Sequence, residues 1–209
     1  MSGLFISFEG IDKSGTSTLA SLLVDHLRSS GRDVVPTYEP GSTELGGEIR
    51  HLVLDWKPQG EIDATAEMFL FAADRAQHVN EVIRPSLDAN KVVISDRYVD
   101  STLAYQGYGR GLSLNDLRMI QNVATGGLMP AITIWLDVDL QTARKRGWGS
   151  GADRIEKEDE AFFQRVRRGF AAGYKSEPDR IFRVDGSQPI SDVFEDVKKV
   201  VVDRMSAAK

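Results

Sequence analysis

The chain has 209 residues, enough for one α/β domain with a substantial core and no second domain. Its 26 basic and 31 acidic residues give a net charge of −5 with no Lys/Arg block, which argues against a nucleic-acid partner. The absence of cysteine excludes disulfides, thiol nucleophiles and thiolate metal sites, and the N-terminal residues enter a strand without a signal-peptide pattern, so a soluble cytoplasmic protein with no membrane partner is expected.

Leu4 to Glu9 is an apolar run of strand length that stops at Gly10, turns through Ile11-Asp12-Lys13-Ser14-Gly15-Thr16-Ser17, and restarts as a helical pattern at Thr18. At all but one position this loop fits the G-x-x-x-x-G-K-[ST] frame of a phosphate-binding P-loop, in which backbone N–H groups and a helix N-terminus face an anion. The exception is Thr16, which stands where the frame has lysine. The only cation in the loop is Lys13. Ser17, opening the helix, is the hydroxyl that would ligate Mg²⁺.

Leu19, Leu22, Leu23 and Leu27 make one face of the first helix, which ends near Gly31. Asp33 to Thr37 reads as a second strand, delivering the loop Tyr38-Glu39-Pro40-Gly41-Ser42-Thr43. Helical patterns cover about Thr43 to Leu54 and Ala64 to Leu87, the latter interrupted at Pro85, with Lys57-Pro58-Gln59-Gly60 as a turn between them. Phe71 and Arg75 lie four apart, so ring and guanidinium share a helix face.

Lys91 to Ser95 is apolar enough to be a central strand buried on both faces. It ends at Asp96-Arg97, where Asp96 is placed either to cap the next helix or to partner the metal through water or from behind its direct ligands. A helical stretch, the glycine-rich Gly107-Tyr108-Gly109-Arg110-Gly111, and a helix from about Leu114 to Ala124 follow. Ala131 to Val138 and Ile181 to Asp185 complete five strands. Between them, Gly147-Trp148-Gly149-Ser150-Gly151 is flanked by Arg144-Lys145-Arg146 and Asp153-Arg154, a pattern of a lid over phosphates or of a plain surface loop. The alternation predicts a doubly wound α/β fold whose ligands bind beyond the carboxyl ends of parallel strands.

Phe8-Glu9-Gly10-Ile11-Asp12, Glu39-Pro40-Gly41, Leu70-Phe71-Ala72-Ala73-Asp74-Arg75, Asp96-Arg97-Tyr98 with Ser101 and Tyr105-Gln106, and Asp153-Arg154-Ile155-Glu156 occur in the order and spacing of thymidylate kinases. The chain resembles that family over essentially its whole length. The resemblance implies a three-layer P-loop NTPase fold with a five-stranded parallel sheet, helices on both faces and a small lid at about 144–156, all in one kinase domain over 1–209. It implies phosphorylation of dTMP by ATP with Mg²⁺, and a homodimer.

By the same resemblance, residues Gly10, Ile11, Asp12, Lys13, Ser14, Gly15, Thr16, Ser17 and Thr18 hold the ATP phosphates, and Ser17 and Asp96 serve the metal. Arg97 takes the dTMP phosphate. The Glu39 loop closes the acceptor site, Phe71 stacks on thymine, and Arg75 donates to a base carbonyl. Asp12 holds the deoxyribose 3′-hydroxyl, Tyr105 lies beneath the 2′ carbon, and Thr102, with Ser101 and Gln106, lies near the base. Arg144, Ser187 and Gln188 face adenine. Lys13, Asp96, Arg97 and Arg154 form the catalytic set, Lys13 following the family pattern in which a loop cation accompanies few lid arginines.

The chain departs from the family at Thr16, at Tyr38, where arginine is usual, and at Ser42, where glycine is usual. Thr16 keeps open a nucleotide-binding protein that transfers phosphate poorly. Tyr38 and Ser42 keep open a kinase of another nucleoside monophosphate or of a deoxynucleoside.

Overall fold

The computed structural model describes residues 3–56, 61–147 and 153–207. The expected turn at Lys57-Pro58-Gln59-Gly60 and the Trp148 to Gly151 part of the expected lid lie outside the described residues.

The five apolar runs become β1 (Leu4–Gly10), β2 (Val34–Tyr38), β3 (Val92–Asp96), β4 (Ile132–Asp137) and β5 (Ile181–Asp185), each within one residue of its expected bounds. They pair in parallel in the order β2-β3-β1-β4-β5. β1 is central and buried almost throughout, as helices on both faces require of a parallel sheet. Alternation along the strand sends Ile6 and Phe8 to one face and Phe5 to the other. Ile6 and Phe8 pack with Leu19, Leu23 and Leu27 of α1 (Thr16–Ser29) and with Val193 and Val197 of the last helix. Phe5 meets Ile83, Val93 and Tyr98.

The second helix, α2 (Glu44–Arg50), starts where Thr43 accepts the N–H of Gly46, and runs on through a π-helical turn to Asp55. Asp63 caps α3 (Ala64–His78). Pro85 does not end that helical run: a π-helical turn at Val79–Ile83 leads into α4 (Arg84–Asp88), so Pro85 falls in a first turn, where its missing N–H costs nothing. The helical stretch after β3 is α5 (Val99–Thr102), which likewise continues as a π-helical turn from Leu103 to Gly109.

The glycine-rich stretch is therefore largely helical. Its glycines give room to neighbours, since a Cβ on Gly109 would lie 2.6 Å from the Phe162 ring and one on Gly107 2.5 Å from Leu114. Next comes α6 (Leu114–Thr125), which Ser113 caps. Three further helices occupy stretches where no helix was singled out beforehand. They are α7 (Leu140–Lys145), α8 (Glu160–Ser176) and α9 (Ile190–Ala207). Asp139 and Asp159 cap the first two, and α8 buries Phe162, Phe163, Val166 and Phe170 at helical spacing against the sheet.

In the register, Phe8 lies beside Asp96 and Gly10 beside Leu136, so the carboxyl ends of the central strands finish together. The loops that leave them converge on one edge. Among the described residues no helix is long and apolar enough to cross a membrane.

Candidate active site

The loop after β1 is shaped by glycine where nothing larger fits. A Cβ on Gly10 would lie 2.5 Å from Ser14 Oγ and 2.8 Å from the Leu136 carbonyl. Gly15 adopts φ +103° as the N-cap of α1, and no side chain caps that helix. The first-turn N–H groups of α1 thus lack a side-chain acceptor, the arrangement that receives phosphate. Lys13 at the loop tip has φ +63°, uncommon for a residue with a Cβ, and its Nζ lies 2.9 Å from Glu156 Oε1. That hydrogen bond holds the ammonium pKa above its ordinary value. Thr16, nearly buried, opens the helix with a neutral hydroxyl.

A cleft of about 1,050 Å³ opens between this loop and the ends of β2 and β3. On its floor Ser17 Oγ donates to Asp96 Oδ2, while Asp96 Oδ1 is buried with no protein partner. An orphaned carboxylate oxygen beside a hydroxyl suits Mg²⁺, which keeps several waters and leans on substrate phosphates rather than on an all-protein cage. No group of three or more His, Cys, Asp or Glu side chains that could hold a metal ion occurs among the described residues.

Arg97 adopts φ +77° just beyond β3. Its guanidinium donates to the Gly10 carbonyl, to Ser101 Oγ at 3.4 Å and to Asp12 Oδ1 at 3.2 Å, and lies 5.5 Å from the centre of the Tyr105 ring. Tyr105 donates its hydroxyl to Asp12 Oδ2 at 2.8 Å, and burial holds that hydroxyl well above its ordinary pKa. Cation, carboxylate and ring therefore form one interlocked wall of the cleft.

A second part of the cleft lining is built around a buried ion pair. Glu39 Oε2 lies 2.7 Å from Arg75 Nη2, and its Oε1 lies 2.8 Å from His78 Nδ1. His78 Nε2 in turn lies 2.5 Å from Thr37 Oγ1. Behind the Glu39 loop, Asp74 accepts the Gly41 N–H at 3.0 Å, and its pKa is raised to about 6 by burial and by Glu39. Ser42 closes the loop by bonding both the N–H and the carbonyl of Tyr38, so the hydroxyl there has a structural use.

A model of the family described as thymidylate kinase matches residues 8–197. The chain belongs to the thymidylate kinase family. It is 46% identical over 203 residues to a thymidylate kinase of Nostoc sp., covering 96% of each chain. A thymidylate kinase of Desulfovibrio desulfuricans is 48% identical over 198 residues, covering 91% of each. The solved thymidylate kinase of Ehrlichia chaffeensis superposes with a TM-score of 0.79 at 35% identity, covering 96% of this chain and 99% of that one.

Of the residues expected in the kinase site, Asp12, Lys13, Gly15 to Thr18, Tyr38, Glu39, Phe71, Arg75, Asp96, Arg97, Ser101, Thr102, Tyr105 and Gln106 line this one cleft. Gly10, Ile11 and Ser14 shape the loop from behind. Arg50, which bonds the Pro40 carbonyl at 2.7 Å and lies 5.8 Å from the centre of the Tyr38 ring, also lines the cleft and was not anticipated.

Four expectations change. Arg75 is largely committed within the protein, because four of its N–H groups donate, to Glu39 Oε2, Thr102 Oγ1, Gln121 Oε1 and the Tyr98 carbonyl, while Nη2 also lies 2.7 Å from Glu39 Oε2. Arg144 is exposed and pairs with Glu160 outside the cleft. Arg146 borders the cleft instead, bonding the Ser14 carbonyl at 3.1 Å and the Gly186 carbonyl at 2.7 Å. Arg154 is held by Glu67 and the Val53 carbonyl and does not line the cleft. Ser187 bonds Asp185 and does not line the cleft, nor does Gln188.

Glu9, buried behind the loop, is pushed up to about 8 by burial and by Asp100, although Arg97, Ser101 and the Tyr98 N–H pull it down. A raised folded-state value adds stability that is fully present at low pH and is lost as pH rises from about 4.5 through about 8. Glu9→Gln cannot titrate, so its melting temperature should gain on that of the unchanged protein as pH is raised from 5 to 8.5 in parallel thermal melts. A constant difference across that range would contradict the shift.

Proposed function

We propose that this thymidylate kinase transfers the γ-phosphoryl of ATP to dTMP, giving dTDP and ADP. The observation that carries the proposal is one cleft lined both by the free helix N-terminus of the phosphate loop and by Arg97, Asp12, Tyr105 and Phe71. In phosphoryl transfer the protein mainly positions the reactants and neutralises charge. The loop and α1 hold the ATP phosphates, Ser17 and Asp96 hold Mg²⁺, and Arg97 holds the acceptor phosphate. When bound, the metal ion neutralises charge on the β and γ oxygens. Phe71 stacks on the base, Asp12 and Tyr105 meet the sugar, and Thr102 and Gln106 meet the base edge.

Arg146, in place of Arg144, borders the ATP side. Arg75 acts as a brace that fixes Thr102 and Glu39 rather than as a direct donor. Lys13 is the loop cation for the γ-phosphate, and the neutral Thr16 makes transfer slow. Residues 1–209 act as one kinase domain with a lid at about 144–156, in the cytoplasm. Phe69 of α3 with Met119 and Val123 of α6, each more than half exposed on helices that pack side by side, is the face for a homodimer.

The test is ADP release from ATP and Mg²⁺ with a panel of acceptors. The proposal expects dTMP to give the highest kcat/KM. A higher value for another nucleoside monophosphate or a deoxynucleoside would reassign the acceptor, and nucleotide binding without ADP release would leave a binding protein.

A further inference from the structure

Glu9 is wholly buried one residue before the end of β1, and it bonds two residues of the turn and helix that directly follow Arg97 in the chain. Its Oε1 accepts the Tyr98 N–H at 2.8 Å and its Oε2 bonds Ser101 Oγ at 2.5 Å. Arg97 itself sits at φ +77°, a backbone state that a residue with a Cβ keeps only where its surroundings over-determine it. The determinants can be named. The Arg97 N–H donates to the Phe8 carbonyl at 2.9 Å, and its carbonyl accepts from Ser95 Oγ at 2.7 Å. The next N–H, that of Tyr98, goes to Glu9. Tyr98 is the N-cap of α5, and the acceptor for its own N–H comes from Glu9 on the neighbouring strand β1.

We propose that Glu9 is a positioning residue for the acceptor phosphate: by holding Tyr98 and Ser101 it fixes the left-handed turn that aims Arg97 into the cleft. This rests on the reading of Arg97 as the acceptor-phosphate group. The surroundings decide how Glu9 acts. It faces Asp100 and Ser101 of α5 and the guanidinium of Arg97, and Asp100 is itself held by Arg180 at 2.8 Å. With burial and Asp100 opposing its charge, Glu9 works through hydrogen-bond geometry rather than as a counter-ion. Glutamine, of the same shape, should therefore replace it and leucine should not.

The experiment compares Glu9→Leu, Glu9→Gln, Ser101→Ala, Arg97→Ala and the double variant Glu9→Leu/Arg97→Ala, with KM for dTMP and for ATP and a thermal melt for each. Glu9→Leu should raise KM for dTMP roughly tenfold or more with KM for ATP within about twofold, and Glu9→Gln should stay within about threefold on both. Ser101→Ala, which removes one of the two bonds, should move the same parameter by a smaller factor. Because Glu9 acts through Arg97, the double variant should be no worse for dTMP than Arg97→Ala alone.

Full additivity in that cycle, or an equal rise of both KM values, would reduce Glu9 to a core residue and overturn the proposal. If Glu9→Leu does not fold, an unchanged dTMP KM in Ser101→Ala would overturn it instead. An Arg97→Ala enzyme with unchanged dTMP kinetics would sink the assignment of Arg97 itself, a failure separate from that of Glu9.

Discussion

Arg97→Ala is expected to lower kcat/KM for dTMP by about 10² to 10⁴, because it removes two charge-assisted hydrogen bonds worth roughly 1.5–3 kcal/mol each. The loss should appear in the dTMP terms and leave ATP binding within about twofold, since the Arg97 guanidinium bonds Gly10, Asp12 and Ser101 rather than the first turn of α1 that receives the ATP phosphates. The wall around it explains the precision asked of this residue. Its guanidinium is already braced by the Gly10 carbonyl, Asp12 and the face of Tyr105. A phosphate arriving there meets a donor whose position has been fixed before binding, which spares the ordering cost. Lysine would supply a charge but not the fork, so Arg97→Lys should recover only part of the loss. Steady-state kinetics with each substrate varied in turn is the check, and unchanged dTMP parameters would remove Arg97 from the site.

Lys13→Ala should abolish most of the remaining transfer, with a fall in kcat of about 10² to 10³, the usual cost of deleting one preorganised contact to developing charge. In related loops the lysine after the second glycine carries that charge, and here the position holds Thr16. Lys13 is the loop's only cation, but its ammonium rests on Glu156, so it reaches the γ-phosphate by exchanging one anion for another. Asp12 and Asp153 lie close enough to add to the field that holds it. An ammonium is a compact charge whose worth depends on distance more than on angle, which lets a lysine three positions early substitute in part. Single-turnover ADP formation at saturating ATP and dTMP reads this directly. A Lys13→Ala enzyme with undiminished turnover would show that Arg146 or another cation meets the charge.

The strands and the phosphate loop were legible because their signals are local. The mostly apolar runs Leu4 to Phe8, Val92 to Ile94 and Ile132 to Leu136, which stop just before Gly10, Asp96 and Asp137, read as buried parallel strands, and the glycine spacing of the loop is dictated by backbone geometry. What stayed hidden depends on partners far away in the chain. The spacing of Phe71 and Arg75 placed them on one helix face, but only the folded chain brings Glu39, Thr102, Gln121 and the Tyr98 carbonyl to four N–H groups of Arg75. The choice between Arg144 and Arg146 turns on where the short α7 ends. Arg144 lies on its exposed side beside Glu160, while Arg146 follows its last residue and swings to the Ser14 carbonyl. Arg154 was read from its motif as a cation for phosphate, yet Glu67, fully buried and also bonded by Gln106 and Arg110, claims it. Glu9 and Asp74 carry no local signal of their use.

The measurement that bears most directly on this account is the turnover of dTMP with ATP and Mg²⁺ in the unchanged enzyme against Thr16→Lys. If the loop lacks a cation that Lys13 replaces only in part, the unchanged enzyme should be slow but active, and Thr16→Lys should raise kcat by roughly tenfold or more with KM for dTMP little altered. A kcat that does not rise, from a variant that melts like the unchanged protein and still binds ATP, would contradict it.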